Sequence, residues 1–214
     1  MKVIIYVEGP SDKAALTALL APLLSLKQQQ GVAINFFEAP PGNKKESVLI
    51  KVPAKAANIL LNDPQTLVIA LPDLYPRNIG FQHETVEELV AGVYKNLATA
   101  LSSKGAKDDI RLKDRFKVFC LKHDLEALLL AALEPLKQRL GLKELEPSWR
   151  IPVEEQNHDH PPKEIVEELF KKHGQRYQGT VDAPMILGTA SHQEIADACP
   201  QCFKPFVDFL AQVS

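Results

Sequence analysis

The sequence predicts an α/β fold, a three-layer sandwich on a mostly parallel sheet with a helical C-terminal extension. Residues 2–7 (KVIIYV) and 66–71 (TLVIAL) are continuous apolar, β-branched runs, the pattern of strands covered on both faces. Helical periodicity follows each strand, so strands and helices alternate, and right-handed crossovers between such strands make them parallel. After residue 142 the pattern changes: Pro147, Pro152, Pro161 and Pro162 break up a polar stretch that holds only short helices.

In chain order, Glu8-Gly9-Pro10 ends the first strand, Ser11 is a good N-cap, and Ala14, Ala15, Leu16, Leu19, Leu20 and Leu23 recur at helical spacing to about Leu26. A second strand is expected at 32–37 and a helix at 46–61, with Pro53 a defect that kinks or splits it. Strand three stops at Pro72-Asp73. A helix at 84–101 and a charged loop to Asp114 lead to strand four at 115–121 and an apolar helix at 124–140. Further helices are expected at 163–173, 191–198 and 203–213. These elements divide into an α/β domain, 1–142, and a helical extension packed on it, 143–214.

Composition narrows the function. Lys and Arg total 25 against 27 Asp and Glu, a net charge of -2 and a pI near 6.3, so no global field attracts nucleic acid or an anionic membrane. A polyanion would need a local patch or bound cations. No apolar run approaches the roughly 20 residues of a membrane span, and Glu8 interrupts the opening run before a secretory segment is complete. Cys120, Cys199 and Cys202 are too few for a disulfide framework and fit a reducing cytoplasm. Cys199-Pro200-Gln201-Cys202 has redox or zinc half-site spacing but no second pair to complete a site.

The chemistry gathers at strand ends. In open parallel sheets ligands collect outside the carboxyl ends of the strands. Glu8 ends strand one, Asp73 strand three, and His123, Asp124 and Glu126 strand four, so the topology aligns five polar groups along one edge. Hard divalent ions prefer carboxylate oxygens, and Mg²⁺ takes one or two carboxylates plus water and phosphate. Glu8 and Asp73 with Asp124 or Glu126 therefore suit Mg²⁺ or Mn²⁺. Each also has a structural use: Glu8 at a helix start, Asp73 in a turn, and Asp124 as an N-cap, the use its position favours. His158-Asp159-His160 reads as a solvated loop, and Lys44-Lys45 as a solvated face with a weak phosphate signal.

Val7-Glu8-Gly9-Pro10-Ser11-Asp12 resembles the first motif of TOPRIM domains, the Mg²⁺-dependent module of topoisomerases, primases and OLD-type nucleases. Asp73-Leu74-Tyr75 falls where those domains place Asp-x-Asp. With His123-Asp124-Leu125-Glu126-Ala127-Leu128-Leu129, Pro161-Pro162-Lys163 and Cys199-Pro200 near Phe203, the chain resembles an uncharacterised TOPRIM-like family over nearly its whole length. Tyr75 stands in place of the second acid.

That resemblance implies a divalent-metal-dependent phosphodiester hydrolase acting on nucleic acid and suggests a place in a bacterial defence module. Glu8, Asp73 and Glu126 would hold metal and His123 would protonate the leaving oxygen, with Lys13, Arg77 or Lys122 steadying the phosphate. The alternatives are a degenerate TOPRIM fold that binds nucleic acid, nucleotide or a partner ATPase, and an adaptor whose tail helices oligomerise. For a crowded acid site, Glu8→Gln is expected to leave the melting temperature unchanged or raised.

Overall fold

A computed structural model describes residues 1–106 and 109–214; the charged loop expected before Asp114 falls partly outside the described residues. Four strands, β1 (Lys2–Val7), β2 (Ala33–Glu38), β3 (Thr66–Ala70) and β4 (Phe116–Val118), form a parallel sheet in the order β2-β1-β3-β4. The expected α/β class and parallel sheet are observed. β1 lies between two neighbours, pairing Lys2 with Ala33 on one side and with Thr66 on the other, and Val3 to Val7 are all buried. β2 is an edge strand and alternates instead, burying Ile34 and Phe36 while Asn35 and Phe37 are exposed.

The helices are α1 (Pro10–Leu19), α2 (Ala21–Gln29), α3 (Lys44–Glu46), α4 (Val52–Asn62), α5 (Val86–Ser102), α6 (Ile110–Asp114), α7 (Glu126–Ala131), α8 (Leu133–Leu140), α9 (Pro162–Lys172), α10 (Gly179–Leu187), α11 (His192–Ala198) and α12 (Phe203–Gln212). Prolines explain where the expected helices divide. A proline clashes with the carbonyl four residues earlier and donates no hydrogen bond, so it is best tolerated in a first turn. Pro22 accordingly sits in the first turn of α2, Pro53 in that of α4 and Pro135 in that of α8. Ahead of Pro53 the chain widens into a π-helical turn, Ser47–Lys51, and ahead of Pro135 it breaks at Ala132 (φ -85°, ψ 57°). α10 escapes periodicity because Pro184 lies inside it and its apolar residues do not form one stripe.

By compactness the chain divides into two units, one of residues 1–9, 24–120 and 213–214, the other of residues 10–23 and 121–212. α1 and residues 121–142 thus group with the C-terminal helices, whereas the sequence reading assigns them to the α/β domain.

In the first unit α4 packs on β3 and α5, and α5 on β4. Thr85 and Glu88 form a capping box at the start of α5. Arg115 ties strand ends together, donating to the carbonyls of Leu60, Asp63 and Thr66 at 2.6, 2.7 and 2.9 Å. In the second unit α1 packs on α10 and α7 on α9. Asp182, almost fully buried, accepts from Arg139 Nε at 2.9 Å and from the Gln178 amide at 2.6 Å, which satisfies a charge that would otherwise be costly to bury.

Candidate active site

β1 and β3 are adjacent and parallel, so the residues that follow them emerge side by side. Glu8 directly follows β1; Asp73 comes three residues after β3. The Asp73 amide donates to Glu8 Oε1 at 3.1 Å, so the carboxylate of one strand end anchors the backbone of the other.

A third group joins them from the connection between β2 and α4. Asn43 caps α3 by accepting from the Glu46 amide, and this single turn carries Lys45 inward until it is 3% exposed. Its Nζ donates to Leu74 O at 2.6 Å and to Pro76 O, both in the loop that begins with Asp73. Burial lowers the Lys45 pKa, while the charges of Glu8, Asp73 and Cys120 oppose that fall. The sequence reading takes Lys45 for a solvated lysine; the structure buries it beside two acids. Lys44 is exposed and crosses Gly9, where a β-carbon would meet its Nζ at 3.2 Å.

Tyr75, in place of a second acid, has the Arg77 guanidinium stacked 4.7 Å from its ring centre and hydrogen-bonded to its hydroxyl. Arg77 also pairs with Glu84 at 2.9 Å. The expected phosphate-binding Arg77 is thus engaged in a loop network.

The second unit holds another pair of acids. Leu125 occupies the N-cap position of α7, without a side-chain cap, and the Asp124 carboxyl one residue earlier accepts from the backbone amide of Glu126, the first residue of the helix. Desolvation and then the charge of Glu126 push the Asp124 carboxyl up to about 7, with Lys163 pulling the other way. Asp124 Oδ1 is buried with no hydrogen-bond partner among the described residues. Glu126 is 7% exposed and accepts a 2.9 Å hydrogen bond from the Tyr177 hydroxyl. Tyr177 stacks edge-on against Phe170 and, desolvated beside Glu126, keeps its proton well above the usual phenol range. The sequence reading misses Tyr177, an aromatic residue in a polar loop with no partner visible from spacing.

His123 is buried and lowered to about 4, chiefly by desolvation, so it is uncharged at neutral pH and has no extra proton to give a leaving oxygen. Lys122 donates to Gln201 at 2.5 Å, and Lys13 is exposed on α1. His158 pairs with Asp159 at 3.2 Å and His160 with Glu168 at 3.6 Å, all exposed. The thiols of Cys120, Cys199 and Cys202 are buried and, among the described residues, form no disulfide, and burial beside Glu154 pushes Cys199 up to about 12. Glu154, 3% exposed, accepts from the amides of Gln201, Cys202 and Phe203 and so caps α12.

Among the described residues no group of three or more His, Cys, Asp or Glu side chains is arranged to hold a metal ion. The donor set nevertheless suits a hard cation in kind, since Mg²⁺ keeps several waters and is commonly held by one or two carboxylates. No described helix is long and apolar enough to cross a membrane.

These features define an α/β protein with a parallel sheet and paired acids at its strand ends. The chain belongs to the family described as "Domain of unknown function (DUF4276)", whose model matches residues 7–211. No curated protein matches it. Among solved structures it is similar to the C-terminal region of the Burkholderia pseudomallei OLD protein, at 16% identity and a TM-score of 0.46, covering 98% of this chain and 96% of that one. It is also similar to the C-terminal region of the Xanthomonas campestris pv. campestris OLD protein, at 13% identity and a TM-score of 0.45, covering 98% and 93%.

Proposed function

We propose that the protein is a divalent-metal-dependent phosphodiester hydrolase of the TOPRIM type, acting on nucleic acid in the cytoplasm as part of a bacterial defence module. The observation that carries the reading is the Glu8–Asp73 pair: carboxylates from adjacent parallel strand ends, joined through the Asp73 amide. Glu8 and Asp73 would hold Mg²⁺ or Mn²⁺, which when bound polarises a phosphodiester and lowers the pKa of water. Asp124 and Glu126 are a second proposed carboxylate pair. Within this chain, the Asp73 amide orients the Glu8 carboxylate, Lys45 pins the loop after Asp73, and the Tyr177 hydroxyl orients Glu126.

A binding protein without catalysis is the second reading. It is favoured by Tyr75, which replaces an acid with a phenol held by Arg77.

The test is incubation of the full chain with single- and double-stranded DNA and RNA in Mg²⁺ or Mn²⁺, beside Glu8→Gln and Asp73→Asn. The expected result is metal-dependent cleavage that each variant reduces by about 100-fold or more. Binding without cleavage in either metal supports the second reading, and cleavage undiminished in Glu8→Gln contradicts the proposed site.

A further inference from the structure

Lys45 is a site residue that neither composition nor motif singles out. A lysine is almost never fully buried unless its charge is compensated. Lys45 is 3% exposed, and two of its three ammonium protons go to carbonyls, those of Leu74 and Pro76. Neutral carbonyls alone do not balance a buried charge. The acids acting on it are Glu8 and Asp73, and the first of its carbonyl partners belongs to the residue after Asp73. The Asp73 amide in turn sits on Glu8.

We infer that Lys45 is the internal counter-ion of the Glu8–Asp73 pair: its ammonium, buried and bonded to the loop that begins at Asp73, supplies positive charge that a divalent cation would otherwise provide. The assignment of Lys45 to the pair stands on geometry and burial. Its effect on cation binding rests on the metal site proposed above. With Lys45 charged, the three groups carry a net charge of about -1 in place of -2, so the site is tuned toward a weakly held, exchangeable cation. Lys45 therefore acts as a positioning residue. Its ammonium is engaged with the loop and has no exposed face for substrate.

The test combines a metal-free arm and a metal arm on the full chain. In the first, melting temperatures are measured for Lys45→Met, Glu8→Gln and the double variant in chelator. Each single change is expected to lower the melting temperature by roughly 3–10 °C, and the double change by clearly less than their sum, since it removes charge and counter-charge together. Additive losses overturn the assignment. In the second arm, Mn²⁺ binding is followed by electron paramagnetic resonance in wild type, Lys45→Met and Lys45→Arg. Lys45→Met is expected to bind about tenfold tighter or more, and Lys45→Arg to stay near wild type because it keeps the charge. Unchanged or weaker binding in Lys45→Met overturns the effect on the cation. If no variant binds Mn²⁺ while the first arm shows coupling, the metal site fails and the counter-ion assignment stands.

Discussion

The amide of Asp73 donates to Glu8 Oε1 at 3.1 Å, so two residues 65 positions apart are locked at the ends of neighbouring strands. Glutamine retains an acceptor oxygen for this contact but removes the charge facing Lys45. Glu8→Gln is thus expected to lower the melting temperature by a few degrees, about 3–10 °C, as a buried lysine loses compensation. This reverses the expectation from sequence, which counts only repulsion among acids. Differential scanning calorimetry decides it, and a raised melting temperature contradicts the role given to Lys45.

Glu154 caps α12 with three amide hydrogen bonds to its buried carboxylate. Glu154→Ala strands those amides and is expected to cost about 2–4 kcal/mol, read as a lower urea midpoint at unchanged slope. A loss below roughly 0.5 kcal/mol would show that water reaches the helix start.

Cys199 lies buried with its pKa pushed up to about 12, and Cys120 and Cys202 are also buried. Because the thiolate is the nucleophile, the native protein is expected to resist iodoacetamide at pH 8 and to label fully in denaturant. Mass spectrometry counts the adducts. Rapid native labelling at Cys199 would revive a redox or metal role for the Cys-x-x-Cys pair.

His123 and Asp124 pull stability in opposite directions with pH. His123 falls from 6.5 to about 4 on folding, so between these values the unfolded chain binds the extra proton and stability rises with pH. Asp124 rises from 3.8 to about 7, so the folded chain holds the proton and stability falls with pH across that window. Measured against urea from pH 4.5 to 7.5, the two slopes largely offset in the wild type, so His123→Phe is expected to leave a stability that falls as pH rises and Asp124→Asn one that rises. Parallel curves for all three proteins would mean that neither group is desolvated.

The sheet and two of its acids were readable because they depend on local, additive signals. A run such as Val3 to Val7 is strand-like whatever surrounds it, and a carboxylate directly after such a run falls at the ligand-binding edge by topology alone. Lys45 was not read because a lysine in a polar turn is ordinarily solvated. The signal was present nonetheless: Lys45, Val48, Leu49, Val52 and Ala56 follow helical spacing, and all five are buried. Tyr177 left no such trace, since its partner Glu126 lies 51 positions away. The grouping of α1 with the C-terminal helices is likewise a matter of long-range packing that no window of sequence contains.

The central claim is that Glu8 and Asp73 share a divalent cation, and a crystal structure of the chain soaked in Mn²⁺ tests it most directly. An anomalous peak is expected within roughly 2.0–2.3 Å of a carboxylate oxygen from each residue, its remaining positions filled by water. A well-diffracting soak with no peak there, or with Mn²⁺ bound only elsewhere, would contradict the claim.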